Sequence, residues 1–414
     1  MIDFLDEIIF FPKSLDDLDG LFPPNCDYKV YACRSSKEVY NKYQKAYVYE
    51  AETGNRLFST TKFFRKILAS LDIADSIAQS KGVWSYQAYP WCDDLRNMGC
   101  QVFAISHLLY STLHNKFMQK QLLINAATNV SRKAGKHLLR HFELREHVFK
   151  TKIMFYKPDS FSQFNYAHPN GFVVANSTSD GGSNVFRVHN SKDYEEIIPR
   201  LSSPVVRIEA LINDSLPINQ IGIVTDNGWV IKYQPSVQLI KINKISSRFE
   251  YIGSNYSLVD FGVSYSDSRI RSATVLTDSV GKALYAMGYR GIFGCDYLLT
   301  DKEAFFMELN PRYQASTRVL SVATEKQPEF SPHIIHIASF LKGKAEANIA
   351  IMEYSAPDSF IKILKKDDAH GYVRVWDKNI LCDRQMVGRE VVEPIIHIGY
   401  NLLKGTSAMG SSLI

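Results

Sequence analysis

Gly291-Ile292-Phe293-Gly294-Cys295-Asp296-Tyr297-Leu298-Leu299, Thr300-Asp301-Lys302-Glu303 and Ala304-Phe305-Phe306-Met307-Glu308-Leu309-Asn310-Pro311-Arg312 follow one another without a break. Two apolar runs flank a short charged turn, the pattern of a β-hairpin. A turn centred on Lys302 sets Asp296 directly across from Glu308, and residues so paired have Cβ atoms about 4.5–5.5 Å apart. Asn310 lies two residues beyond Glu308 and projects from the same face. Two carboxylates and an amide oxygen therefore converge on one patch.

Carboxylates that close repel, and one of them takes up a proton unless a cation intervenes. Mg²⁺ suits the donors, because it favours one or two carboxylates together with phosphate oxygens and water. Glu308 and Asn310 can hold one ion, and Asp296 with Glu308 a second. Arg312 follows where the strand ends, and its guanidinium can bind an anion. A solvent-facing hairpin edge with scattered charges would show the same spacing. Against it, Phe305, Met307 and Leu309 alternate with Glu308 and Asn310. A carboxylate and an amide in such a strand are costly without partners.

Working outward, residues 268–287 read as a helix closed by Gly288, a common C-terminal cap residue. Asp226-Asn227-Gly228 is a hairpin turn. Val205-Val206-Arg207-Ile208-Glu209 is an apolar strand ending in an acid. Phe172-Val173-Val174-Ala175 is a short strand that runs into the polar stretch 176–184, where Gly181 and Gly182 would let backbone N–H groups approach an anion. Residues 111–143 are helical and then basic, with Lys116 near their start. Before them come a strand at 28–32, a helix over 60–78, a turn leading into a strand over 97–105 and the aromatic cluster 84–91, which packs between domains or lines a cleft. After the hairpin, a helix over 332–341, a strand over 371–376 and a helix over 391–403 are expected.

In this order the segments resemble the ATP-grasp superfamily, over residues 111–317. The resemblance rests most firmly on the Asp, hairpin, Glu-x-Asn, Pro-Arg run. It implies an α+β fold: an N-terminal α/β unit (1–110), a small subdomain with a phosphate loop (111–203), a large subdomain with the metal site (204–325) and a C-terminal extension (326–414). It implies that Asp296, Glu308 and Asn310 ligate two Mg²⁺ ions on the phosphates of ATP. Arg312, joined by Arg318, would stabilise an acyl phosphate. Lys116 would reach phosphate, although a solvated helix lysine would look the same. Ser179, Gly181, Gly182 and Ser183 would form the loop over the phosphates, although a plain surface turn would too. The strand before that loop lacks the family's lysine and ends in Ala175-Asn176, leaving Asn176, Lys150 or Lys152 to supply the contact. Glu209 and Ile212 would meet adenine and ribose. Leu216 stands where a second acid is usual, so Asn213 or Asp214 serves the ribose or nothing does.

The implied reaction activates a small carboxylate, such as an amino acid, as an acyl phosphate, and passes it to an amine with release of ADP and phosphate. The termini are similar to a branch of natural-product ligases, in which the acceptor can instead be the phosphopantetheine thiol of an acyl carrier protein. A nucleotide-binding regulator that has lost turnover is the third reading.

Composition fits these readings. The 414 residues are 45% apolar and 22% charged, enough for several cores, and a net charge of +5 with no basic stripe argues against nucleic acid. Six scattered cysteines without metal spacing suit a reduced, cytoplasmic protein. There is no long apolar run of membrane-spanning length. G-x-x-x-x-G-K-[ST], a strand-borne G-x-G-x-x-G, G-x-S-x-G and H-E-x-x-H are all absent.

Overall fold

A computed structural model describes residues 5–21, 29–43, 45–55, 60–130, 132–149, 152–154, 159–164, 170–176, 185–243, 248–256, 258–264, 267–324 and 330–341. The phosphate-loop stretch 177–184 and the elements expected beyond 341 lie outside these residues. No helix among the described residues is long and apolar enough to cross a membrane.

The N-terminal unit is a parallel sheet. Its strands are β1 (Ile8–Phe11), β2 (Lys29–Ala32), β3 (Tyr47–Val48), β4 (Gly82–Ser85) and β5 (Val102–Phe103), in the order β3-β2-β1-β4-β5. Every residue of β1 and β4 is buried. That is why β1 reads as an unbroken apolar run, as strands covered on both faces do. The helix expected over 60–78 is two, Thr60–Leu68 and Leu71–Gln79. Ser70 breaks it with extended dihedrals of −84° and 120°, consistent with serine favouring caps over helix interiors.

The second sheet is antiparallel. Its smaller part holds β6 (Lys152–Met154), β7 (Phe172–Asn176), β8 (Val185–Val188) and β9 (Val206–Ala210). The larger part holds β10 (Leu216–Val224), β11 (Val230–Lys232), β12 (Ser236–Asn243), β13 (Arg248–Asn255), β14 (Gly291–Leu299) and β15 (Ala304–Asn310). One pair, Arg248 with Phe186, joins β13 to β8. Phe172, Val174, Phe186, Val188, Val206 and Ile208 belong to a separate small core. β9, beyond the boundary drawn at 204, thus pairs with β7 and β6. The helices Lys116–Asn129 and Arg132–Phe149, expected with the small unit, pack instead on the helix Ser268–Ala286 of the larger part.

β15 is an edge strand, and those two helices satisfy its outward backbone. Gln119 Oε1 accepts from Leu309 N–H at 2.8 Å, Gln119 Nε2 donates to the Leu309 carbonyl at 2.6 Å, and Phe306 N–H donates to His141 Nε2 at 2.7 Å. Side chains thus take the place of a further strand and protect the edge.

His336 clamps the start of the hairpin to the N-terminal sheet. Ile292 N–H donates to its Nδ1 at 2.9 Å, and its Nε2 lies 2.9 Å from the Phe103 carbonyl and donates to it. Gly291 makes room for the ring: its φ is +88°, and an added Cβ would fall 2.6 Å from His336 Nδ1. A side chain there meets both backbone strain and an immobile ring, so Gly291→Ala should cost about 2–4 kcal/mol in urea denaturation. Wild-type stability in that variant would show that neither the positive φ nor the ring constrains position 291.

Burial lowers the His336 pKa from 6.5 to about 4. The neutral ring is the folded form, so its stabilisation is complete above pH 6.5 and is lost as pH falls from 6.5 toward 4. His336→Gln should be less stable than wild type at neutral pH, and the gap should narrow by about 3 kcal/mol on going to pH 4. A gap that does not vary with pH would rule out the buried neutral ring as its source.

Candidate active site

β14 and β15 deliver the acids. Their ladder pairs Leu299 with Ala304, Leu298 with Phe305 and Tyr297 with Phe306, then shifts so that Asp296 faces Glu308 and Gly294 faces Asn310. The extra residue is Met307. The turn alone would have set Asp296 against Met307. A bulge restores the expected pairing, and bulges commonly re-aim side chains next to functional sites.

Asn310 Nδ2 donates to Asp296 Oδ2 at 3.0 Å and to Glu308 Oε1 at 3.4 Å. Asn219 Nδ2 and Gln238 Nε2 donate to Asp296 Oδ1 at 2.6 and 3.1 Å. Lys116 begins its helix behind the Asn115 cap, with its side chain 1% exposed and its Nζ 3.2 Å from Glu308 Oε1. The solvated-lysine reading of Lys116 is thereby set aside.

Burial, and then the Glu308 charge, push Asp296 up to about 7. Burial acts on Glu308 too, but Lys116 and Arg207 outweigh it and hold Glu308 below its ordinary value. The pair therefore resists ionising twice, the condition a divalent cation relieves. Its hard oxygen donors fit Mg²⁺, and half a turn of the Asn310 amide brings Oδ1 inward, since amide oxygen and nitrogen are nearly isosteric. No group of three or more His, Cys, Asp or Glu is found among the described residues. The remaining oxygens would come from substrate phosphates and water, which is how Mg²⁺ is usually held.

The other residues singled out fall in three places. Glu209 is buried on β9, and Arg207 Nε is 3.6 Å from its Oε2. Ile212 and Asp214 lie in the connection from β9 to β10, where Asp214 is exposed at a φ of +53°. Asn176 shares the parity of Phe172 and Val174, the core side of β7, and its Nδ2 donates to Ser202 Oγ at 3.3 Å. It thus turns away from the face that carries Arg207 and Glu209. Lys152 pairs with Ile208 in the ladder. Ser179, Gly181, Gly182 and Ser183 lie outside the described residues.

Arg312 is half-buried beside the hairpin end and donates to the Tyr313 carbonyl at 3.0 Å. Arg318 departs from its expected role. It is 7% exposed and ion-paired to Asp16 at 3.2 Å and Asp19 at 2.8 Å. Its charge is taken up in tying the helix Ala315–Ala323 to the turn after β1 (Leu15–Leu18), not in meeting an anion.

Asn219, Gln238 and Gln119 were not anticipated. Asn219 and Gln220 do interrupt the apolar run of β10, a visible sign of buried polar groups. That Asn219 pairs with Asp296 depends on a strand contact distant in sequence.

No protein-family model matches the sequence. One stretch of 130 residues is 28% identical to the formate-dependent phosphoribosylglycinamide formyltransferase of Sulfurovum sp. (strain NBC37-1), covering 26% of this chain and 33% of that protein. The match thus spans about a third of the curated relative's length. An ADP complex of N5-carboxyaminoimidazole ribonucleotide synthetase superposes with a TM-score of 0.52 at 15% identity, over 80% of this chain and 76% of that one. The N5-carboxyaminoimidazole synthetase of Staphylococcus aureus, also with ADP, gives 0.52 at 10% identity over 80% and 77%. Phosphoribosylamine–glycine ligase of Thermotoga maritima gives 0.51 at 13% over 78% and 72%. Identities this low speak for the fold alone, and they do so across most of the chain. With the parallel N-terminal sheet, the two-part antiparallel sheet and the paired acids of its last hairpin, they show that the chain has the ATP-grasp fold.

Proposed function

We propose that the protein is an ADP-forming ligase that uses ATP and Mg²⁺ to activate a small carboxylate as an acyl phosphate and passes the acyl group to an amine. The observation that carries this reading is the convergence of Asp296, Glu308 and Asn310 with Lys116 Nζ 3.2 Å from Glu308. The names of the similar proteins, a formyltransferase dependent on formate and a ligase of glycine, add to it.

The residues divide the work. Asp296, Glu308 and Asn310 would hold Mg²⁺, which when bound offsets charge developing on the transferred phosphoryl group. Lys116 fixes Glu308 and adds positive charge beside it. Asn219 and Gln238 hold the Asp296 carboxylate in one orientation, so little reorganisation is needed as charge moves. Arg312 is the proposed contact for the acyl phosphate. Glu209, Ile212 and Asp214 are the proposed contacts for adenine and ribose, and the 177–184 loop for the phosphates. An amino acid is the first carboxylate to test, and the cytoplasm the expected setting.

The test is release of ADP and phosphate from MgATP against pooled carboxylates, with and without pooled amines. Release that needs one carboxylate pool supports the reading, and the amine that raises it names the acceptor class. Release discharged only by a carrier-protein thiol, seen as an acyl mass increment on that protein, would replace the amine by a thioester product. Tight nucleotide binding with no release under any pool would overturn the ligase reading in favour of a regulator.

A further inference from the structure

We infer that Arg207 is the guanidinium that receives the polyphosphate of the nucleotide, an inference that rests on the nucleotide-binding reading above. Arg207 interrupts an apolar strand. Val206 and Ile208 face the small core together with Phe172 and Val174. Alternation along a strand therefore turns Arg207 and Glu209 to the other face. The register sets Ala175 beside Arg207 and Val173 beside Glu209. The end of β7 brings no cation to that face, because Ala175 offers a methyl group and Asn176 turns to the core side.

The Arg207 side chain is only 12% exposed, and its contact with Glu209 is a long one of 3.6 Å. Its Nε is buried without a hydrogen-bond partner among the described residues. A desolvated guanidinium with one loose ion pair is costly, and its fixed planar donors match phosphate oxygens better than a lone carboxylate at that distance. Lys116 has its Nζ committed to Glu308, so a second cation for incoming phosphates has to come from elsewhere. Arg207 is in place to be that cation, with Glu209 steering it.

The rival role is structural, with Arg207 merely neutralising the buried Glu209. Equilibrium binding of ATP, ADP and adenosine separates the two, measured in EDTA and again with Mg²⁺, on wild type, Arg207→Met and Arg207→Lys. Arg207→Met should weaken ATP and ADP by about 10- to 100-fold in both conditions and leave adenosine within about twofold. Arg207→Lys should recover part of the loss, as a point charge without the fork. Equal losses for adenosine and ATP, or none for either, would overturn the inference. Should Arg207→Met not fold, Arg207→Lys decides alone: a loss specific to ATP and ADP supports the role, and unchanged affinity overturns it. If wild type binds adenosine but gains nothing from the phosphates, Arg207 has no such role while the nucleoside site stands. If wild type binds none of the three ligands, the nucleotide reading itself falls, and this inference with it.

Discussion

Glu308→Gln is expected to reduce MgATP turnover about 10³-fold while leaving the fold intact. The substitution keeps shape and removes one negative charge from the middle of the donor set. Glu308 is the residue best placed to bridge, with Asp296 directly across the ladder and Asn310 two residues on. A glutamine there presents either a weaker oxygen or an N–H that repels a cation. Folding should be nearly unaffected, because the change removes the Lys116 attraction and the Asp296 repulsion together. The check is a steady-state assay of ADP release beside a thermal melt. Activity within threefold of wild type, in a protein of unchanged melting temperature, would remove the hairpin acids from the chemistry.

The hairpin was legible because its information is local. Two apolar runs and a charged turn fix the strands, and alternation fixes which residues share a face. Even so, the facing of Asp296 and Glu308 comes from a bulge at Met307 that alternation does not disclose. Phe305 and Phe306 are adjacent and both buried, so the alternation of apolar residues does not give the register away. What escaped depends on distant pairings. Asn219 reaches Asp296 across β10 and β14, and Gln238 reaches it from β12. Arg318 stood in the sequence as a free cation close to the site. Its partners Asp16 and Asp19 lie about three hundred positions earlier, and only the packing of the N-terminal sheet brings them together. Arg207 was visible as a charge in an apolar strand, but the significance of its face emerges only once β7 and β9 are in register. The pairing of β9 with β7 and β6 was hidden for the same reason, since a strand belongs with whichever strands it pairs with, not with its nearer neighbours in sequence.

Lys116→Met should destabilise the protein by about 2–4 kcal/mol, and adding Glu308→Gln should restore most of that loss without restoring activity. Lys116 is the only lysine or arginine shown paired with Glu308 among the described residues. Removing it leaves two carboxylates facing each other with Arg207 but no paired cation to offset them, and one of them is then driven toward protonation to stay buried. The cost falls short of the limit for a fully buried pair because the Glu308 side chain is 24% exposed. Glu308→Gln in the same background removes the uncompensated charge. The double variant should therefore approach wild-type stability in urea while its turnover stays near background, since both a metal ligand and a cation are gone. That dissociation separates a lysine that serves the site through charge from one that merely packs. A methionine fills the lysine stem's volume, so a packing role predicts a stable single variant and no rescue in the double. Observing those two results together would reduce Lys116 to a buried packing residue and leave Glu308 to be held by other means.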